Sequence, residues 1–277
     1  MKKVVQGVSI LIIIFATSVI WSGEINSDSF KRLMALSGIP KQVAEFPGLV
    51  RAGLEQARQQ GSPIPNVEFD EVMMSIEGAF QPSEILTTIG VEAKNSISES
   101  EAKDLLSWYE SDLGRRITKA EENASTPAAY KEMIRVARSL LADKKRVEIA
   151  KKLDGLVNVT DIAMQFQEDV RIAVFIAISK TMNPDQPVNI EPFLVKMFAQ
   201  EHQTRANIQQ LVIVSYVYSY KDIDIGSLEK YVEFNERPNT RHFNDGIIKG
   251  LKYALNNSID KMATSMAVTF KKHAEDR

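Results

Sequence analysis

Apolar residues recur at intervals of three and four positions along most of the chain, which is the spacing of one face of an α-helix. The longest early example is predicted to be a helix over residues 41–60, and its apolar positions are Val43, Phe46, Val50, Leu54 and Ala57. The same spacing predicts shorter helices over 30–37, 69–79 and 83–93. The pattern therefore indicates an all-α fold.

Two later stretches extend this pattern less clearly. A segment rich in Ala, Lys and Arg predicts one long helix from about 128 to 153. The segment LVIVSYVYSY, at 211–220, has the β-branched and aromatic content of a strand. Because no partner strand with turn residues lies nearby, we predict a buried helix there, with a strand as the alternative.

Two helix starts can be read from their capping residues. Ser98 and Asp224 are residue types that cap helix N-termini well, and Glu101 lies three positions after Ser98, which is the spacing of a capping box. A helix with one apolar face follows each cap. Leu105 and Trp108 lie on the first of these faces, and Tyr231 and Phe234 are among the apolar residues of the second.

The two capped helices belong to similar segments. SWYESDLGRRI at 107–117 and EFNERPNTRHF at 233–243 align at an offset of 126 positions. Aromatic, acidic and basic residues then correspond, namely Trp108 with Phe234, Glu110 with Glu236, and Arg115 with Arg241. Gly114 and Pro238 are both interpreted as helix interruptions.

A second match suggests that the whole chain is a diverged duplication. LMALSGI at 33–39 aligns with AKKLDGL at 150–156, which pairs Gly38 with Gly155 at an offset of 117. The two matches occur in the same order, so we predict two tandem homologous helical domains over 29–145 and 146–277. The offset grows from 117 at the first match to 126 at the later one, so the second domain has extra residues between the two matches. We place them in a proline-rich loop at 183–192, whose counterpart is 61–66.

The N-terminus has the layout of a secretory signal peptide. Lys2 and Lys3 precede an apolar stretch from Val8 to Trp21, and polar residues follow. We predict a signal peptide over residues 1–23 and export to the periplasm or beyond the cell. The sequence leaves the cleavage site open, because Ala16-Thr17-Ser18 fits the small-x-small rule whereas a cut after Ser22 or Gly23 fits it poorly. The alternative is an uncleaved inner-membrane anchor formed by residues 4–21.

Composition narrows the range of possible functions. The 277 residues carry a net charge of −2 with a pI near 6.0, which gives no basic footprint for nucleic acid. There is no cysteine, which excludes disulfides, thiolate metal sites and cysteine nucleophiles. The three histidines, His202, His242 and His273, lack the spacing of a zinc site, and no catalytic motif is present. We therefore expect no cofactor and no metal.

The repeated motif is the candidate site, and it allows two interpretations. Its aromatic and acidic residues could form a partner-binding corner, with Arg115 and Arg241 contacting an anion. The favoured interpretation is structural, with the aromatic residue in the core and the Glu–Arg pair tying two helices together. The candidate residues are Trp108, Glu110, Gly114, Arg115, Phe234, Glu236, Pro238 and Arg241.

The stretch ISESEAKDLLSWYESDLGRRI, at 97–117, resembles the DUF2059 family of exported bacterial proteins. Gly114, Arg115 and Arg116 match the Gly-basic end of the family's pattern, whereas the second segment departs from it at Thr240. The resemblance is strong over about 25 residues in each segment. It implies an all-helical exported protein and does not imply an activity.

These observations leave three hypotheses for function. The first is a non-enzymatic binding or interaction module of the cell envelope, whose partner is an envelope protein or a peptide. The second is an envelope hydrolase whose catalytic residues are dispersed in the sequence. The third is a helical carrier of a small apolar ligand, which requires an apolar cavity of several hundred Å³. The sequence does not specify the oligomeric state.

Overall fold

The computed structural model describes residues 26–59, 66–182 and 186–275, and this part of the chain forms thirteen helices without a strand. The all-α prediction is confirmed. In chain order the helices are α1 Ser27–Leu36, α2 Ile39–Gln59, α3 Asn66–Ala79, α4 Pro82–Ser96, α5 Glu99–Tyr109, α6 Asp112–Ala124, α7 Pro127–Leu140, α8 Lys144–Val157, α9 Val159–Met182, α10 Glu191–Ala199, α11 Glu201–Ser219, α12 Ile225–Glu236 and α13 Pro238–Glu275. We call α1–α7 the first half and α8–α13 the second half.

The capping predictions are confirmed at both sites. The Ser98 hydroxyl accepts from the backbone N–H of Glu101, and the Glu101 carboxylate accepts from the backbone N–H of Ser98, which completes a capping box at the start of α5. The Asp224 carboxylate accepts from the backbone N–H of Ser227 at 2.8 Å and starts α12.

The ambiguous segment 211–220 forms the end of helix α11, so the strand alternative is wrong. Its β-branched residues Val212, Ile213, Val214 and Val217 are buried against other helices. Tertiary packing therefore overrides the weak preference of these residues for strands.

Two predicted helix boundaries are wrong. The helix predicted over 128–153 is two helices, because the Asp143 carboxylate accepts from the backbone N–H of Arg146 and begins α8. Helix-favouring residues on both sides concealed this break. The break predicted at Gly114 exists, but it lies at residues 110–111, between α5 and α6. Gly114 itself lies in the first turn of α6, where the Ser111 hydroxyl accepts from its backbone N–H at 3.0 Å.

Several predictions fall wholly or partly outside the described residues. These are the signal segment at 1–23, most of the loop at 61–66 and the beginning of the loop at 183–192. Among the helices of the described ranges, none combines the length and apolar character needed to cross a membrane.

The two halves share one apolar core. The largest cluster of buried side chains combines Leu33, Phe80 and Ile89 from the first half with Phe234 and Met262 from the second. Helix α13 packs on α4 and α3 of the first half and on α9 of the second. The domain boundary predicted between residues 145 and 146 falls at the start of α8 and stays a prediction.

The contact between α13 and α4 is made by glycine. Gly246 and Gly250 lie one turn apart on α13 and face α4. A Cβ atom on Gly250 would lie 2.5 Å from Cα of Ile89, and one on Gly246 would lie 2.9 Å from Cα of Ala93. These distances are too short for any side chain, so the two backbones pack directly against each other.

We expect Gly250→Ala to lower the free energy of unfolding by about 1–3 kcal/mol, because the added methyl group would push α13 away from α4. Urea denaturation with an unchanged m-value would measure this loss. Gly78→Ala is the matched control, since a Cβ on Gly78 would meet nothing within 4 Å. This control should be neutral or slightly stabilising. Equal effects of the two substitutions would contradict the proposed close packing.

Candidate functional site

The aromatic residues of the repeated motif lie against each other. The rings of Trp108 and Phe234 are stacked with centroids 4.3 Å apart and planes inclined by 8°. Tyr231 extends the stack on the second half, with its ring centroid 6.2 Å from that of Trp108. The two predicted counterparts therefore meet at the junction of the halves.

The polar residues of the first motif brace the turn between α5 and α6. The Arg115 guanidinium donates to the backbone carbonyl of Glu110, and the Glu110 carboxylate pairs with Arg32 at 2.6 Å. A Cβ atom on Gly114 would lie 2.1 Å from the carbonyl oxygen of Trp108. The link between Glu110 and Arg115 therefore exists, but it runs through a carbonyl rather than a carboxylate.

The second motif is arranged differently. Pro238 is the first residue of α13, where its fixed φ suits a helix start. Glu236 and Arg241 are exposed, and neither side chain makes a hydrogen bond or ion pair with another described residue. Thr240, at the position that corresponds to Gly114, is buried. The predicted Glu–Arg tie is thus absent here.

The histidines are dispersed. His202 is exposed, Nδ1 of His242 lies 2.7 Å from Glu101, and the side chain of His273 is outside the described part. Within the ranges that the structure describes, no three His, Asp or Glu side chains are grouped as metal ligands would be.

Arg115 also borders a basic surface groove of about 690 Å³ between α6 and the end of α11. Three other cationic side chains line it, namely Arg116, Lys119 and Lys221. Arg116 lies 3.7 Å from Asp224, and Lys119 lies 3.6 Å from Glu122, so part of this charge is already paired. Arg241 does not line this groove, which separates the two arginines of the candidate set.

A cavity of about 500 Å³ lies between the halves and contains a partly buried acid. Glu121 of α6 points its Oε1 atom at two phenols, accepting from Tyr220 at 2.6 Å and from Tyr231 at 2.7 Å. Its aromatic and polar lining is completed by Tyr109, Tyr130, Tyr216, Phe243, Ser37, Gln42, Ser125, Ser215, Ser219, Asn235 and Asn244, and aliphatic side chains such as Met133 and Leu211 also line it.

Burial raises the pKa of Glu121 above its ordinary value of 4.5. The hydrogen bonds from Tyr220 and Tyr231 act in the opposite direction, and the neighbouring charge of Glu122 adds to the increase. Burial likewise raises the pKa of Tyr109, Tyr216, Tyr220 and Tyr231, so these phenols stay protonated. The cavity therefore holds one titratable acid among neutral hydroxyl groups.

An apolar cavity of about 390 Å³ adjoins the first. The two cavities share a wall, which is formed by Ile39, Gln42, Ser125, Val159 and Ile247. The apolar end is bounded by Val43, Phe46, Leu49, Ile85, Ile89, Ile162, Ala163, Phe166, Leu251 and Leu255. Among the described residues that line either cavity, Glu121 is the only charged one.

Sequence reasoning did not identify this site. The sequence places Tyr231 only on an apolar helix face and Tyr216 and Tyr220 only in the buried helix predicted over 211–220. Glu121 belongs to none of the predicted sites. One signal was available, because Glu121 follows Leu113 and Ile117 at intervals of four residues on the apolar face of α6. The contact between Glu121 and the tyrosines joins residues about a hundred positions apart, which no local pattern encodes.

The comparisons with known proteins give one match. The profile of the family described as "Uncharacterized protein conserved in bacteria (DUF2059)" matches residues 94–143. This segment contains α5, α6 and α7, and therefore Trp108, Tyr109 and Glu121. Neither the curated proteins nor the solved structures include a match to this chain. The similarity thus covers one of the two motifs.

The raised pKa of Glu121 predicts how the stability of the folded protein depends on pH. Between pH 4.5 and the raised pKa, the folded protein keeps a proton that the unfolded chain releases, so wild-type stability falls as pH rises. Glu121→Gln removes this loss. We expect the stability of the Glu121→Gln variant relative to wild type to increase with pH across that window. The increase should be about 1.4 kcal/mol for each unit by which folding raises the pKa of Glu121.

Urea unfolding at a series of pH values would measure this difference. Glu233→Gln removes a carboxylate from an exposed site, and its difference from wild type is the baseline with which the Glu121→Gln difference is compared. A flat difference for Glu121→Gln would contradict the raised pKa.

Proposed function

We propose that this protein is a non-enzymatic binding protein that holds a small amphipathic molecule in the cavity between its halves. The observation that supports this proposal is the adjacency of two cavities, one apolar at Phe46 and Phe166 and one with a carboxyl group at Glu121. The two parts, of about 500 and 390 Å³, are in the size range of small-molecule sites. This joins the binding hypothesis with the carrier hypothesis.

The character of the polar end favours binding over hydrolysis. A hydrolase that uses paired carboxylates needs two of them near one reacting bond. Of the carboxylates in the described ranges, only Glu121 lines this cavity, and its hydrogen-bond partners are phenols that burial keeps protonated. Such groups are suited to orienting a ligand.

The proposal includes a duplicated chain, and the pattern of helix packing supports it. Within the halves, α1 packs on α5 as α8 packs on α12, and α2 packs on α4 and α7 as α9 packs on α11 and α13. Between the halves, α4 packs on α13, and α11 packs on α6 and α7. A duplicated chain would give this packing if α1, α2 and α5 correspond to α8, α9 and α12, if α4 corresponds to α11, and if α6 and α7 together correspond to α13.

The cavity wall itself also supports duplication. Four pairs of lining residues lie 120 positions apart on α2 and α9, namely Ile39 and Val159, Gln42 and Ile162, Val43 and Ala163, and Phe46 and Phe166. In this register Gly38 corresponds to Asn158, and both have a positive φ, 74° and 57°. The pairing of Gly38 with Gly155 fails, because Gly155 lies inside α8.

The two copies have diverged where the cavity changes character. At the offset of 126, Glu121 corresponds to Ile247 and Ser125 to Leu251, and all four residues line the cavities. A carboxyl and a hydroxyl in the first half thus face two aliphatic side chains in the second. Divergence of one ancestral unit would give the site its polar and apolar ends.

We further propose that the protein acts in the bacterial envelope after export. The charged and apolar pattern of residues 1–23 supports this location, as does the similarity to a bacterial family over 94–143. We also propose an envelope protein or peptide as a second partner. The basic groove beside Arg115 is where an acidic segment of such a partner would bind.

A bulky side chain introduced into the cavity should weaken ligand binding. We expect Ala163→Phe, at the apolar end, to weaken binding of the neutral dye N-phenyl-1-naphthylamine at least about tenfold, since the ring would fill the space that the dye needs. Dye fluorescence would measure binding, and circular dichroism would check folding.

Ala206→Phe is the control, because Ala206 is exposed on α11 and lines neither cavity. It should bind the dye as wild type does. If wild type does not bind the dye, or if both variants bind it equally well, the proposed cavity is not the binding site.

A further inference from the structure

We propose, building on the function above, that the ligand's polar end is a primary ammonium group held by Glu121 and the surrounding tyrosines. The inference deepens the proposed function by naming the charge of the head group. It rests on the arrangement of donors, acceptors and rings at the polar end of the cavity.

The carboxylate of Glu121 has an acceptor left for a ligand. Both tyrosine hydroxyls donate to Oε1, and no described residue donates to Oε2. Part of the side chain remains accessible from the cavity. A buried acceptor gains most from a charged donor, and an ammonium group offers three N–H donors.

The aromatic rings around Glu121 suit a cation. Tyr216 and Tyr220 are stacked with centroids 6.1 Å apart, and Tyr231 meets Tyr220 edge-on at 5.7 Å. Ring faces attract ammonium groups, and the attraction grows when water is removed. The two hydroxyls that donate to Glu121 also keep lone pairs that can accept from the ligand.

The charge of the lining argues against an anionic head group. No Lys, Arg or His is among the described residues that line either cavity. Lys41, at the start of α2, pairs with Glu122 at 2.8 Å and is turned away from this space. A ligand carboxylate would therefore be buried beside Glu121 without a compensating cation, which is costly.

A ligand ammonium would also use the apolar cavity for the rest of the molecule. Ser125 lies one turn beyond Glu121, at the C-cap of α6, and lines both cavities, and Leu251 and Phe166 follow at the apolar end. A straight alkyl chain attached to the ammonium would pass from Glu121 to Phe166 along this path. The expected ligand class is thus a cationic amphiphile with one amine.

Three probes with the same tail and different heads test the charge. Decylamine, decanol and decanoate would displace N-phenyl-1-naphthylamine from the full-length chain at pH 7, each kept below its micelle concentration. We expect decylamine to bind at least about tenfold more tightly than decanol, as a charge-assisted hydrogen bond provides, and decanoate to bind most weakly.

Glu121→Gln tests the residue, because its amide oxygen can still accept from both tyrosines. It should remove the preference for decylamine and change decanol binding less than about twofold. Glu233→Gln should leave all three affinities unchanged, which controls for net charge and for binding elsewhere on the chain.

The outcomes separate the two levels of the proposal. If decanol or decanoate binds as tightly as decylamine, the head-group inference fails and the binding function stands. If Glu121→Gln keeps the preference for decylamine, Glu121 does not hold the amine and the inference fails too. If neither the dye nor any decyl probe binds, the proposed function fails with it.

Discussion

The direct contact of α13 with α4 is the constraint on which the rest of the structure depends. Gly246 and Gly250 let the two backbones meet, and this seats the last helix of the second half on the first half. The residues that follow along the same helix, Ile247, Leu251 and Leu255, are thereby directed into the space between α2 and α9. Core packing and the shape of the cavity are thus set by one interface.

The polar site depends on this interface in turn. Glu121 belongs to the first half, whereas Tyr220 and Tyr231 belong to the second, so the site exists only where the halves join. Burial of a carboxylate is costly unless partners satisfy it, and these two phenols supply them. The carboxyl group of Glu121 is tolerated between the halves because the second half supplies both of its hydrogen-bond donors. Its second oxygen atom is left as an acceptor for a ligand.

The features of the fold that depend on neighbouring residues in the chain could be predicted from the sequence. Helical class and the caps at Ser98 and Asp224 follow from spacing or from single side chains, whereas the helix over 211–220 depends on packing against other helices. The break at Asp143 was hidden because the flanking residues favour helix on both sides. The site could not be assembled, because the pairing of Glu121 with Tyr220 depends on how distant helices pack.

The stack of Trp108 on Phe234 has a spectroscopic consequence. The chain has two tryptophans, Trp21 and Trp108, so removal of residues 1–23 would leave Trp108 as the sole indole fluorophore. Its ring lies 6.2 Å from that of Tyr231, whose hydroxyl is bonded to Glu121. The intrinsic emission of a chain that lacks residues 1–23 would therefore originate one aromatic ring away from the partly buried Glu121, so this emission would report on the surroundings of that carboxyl group.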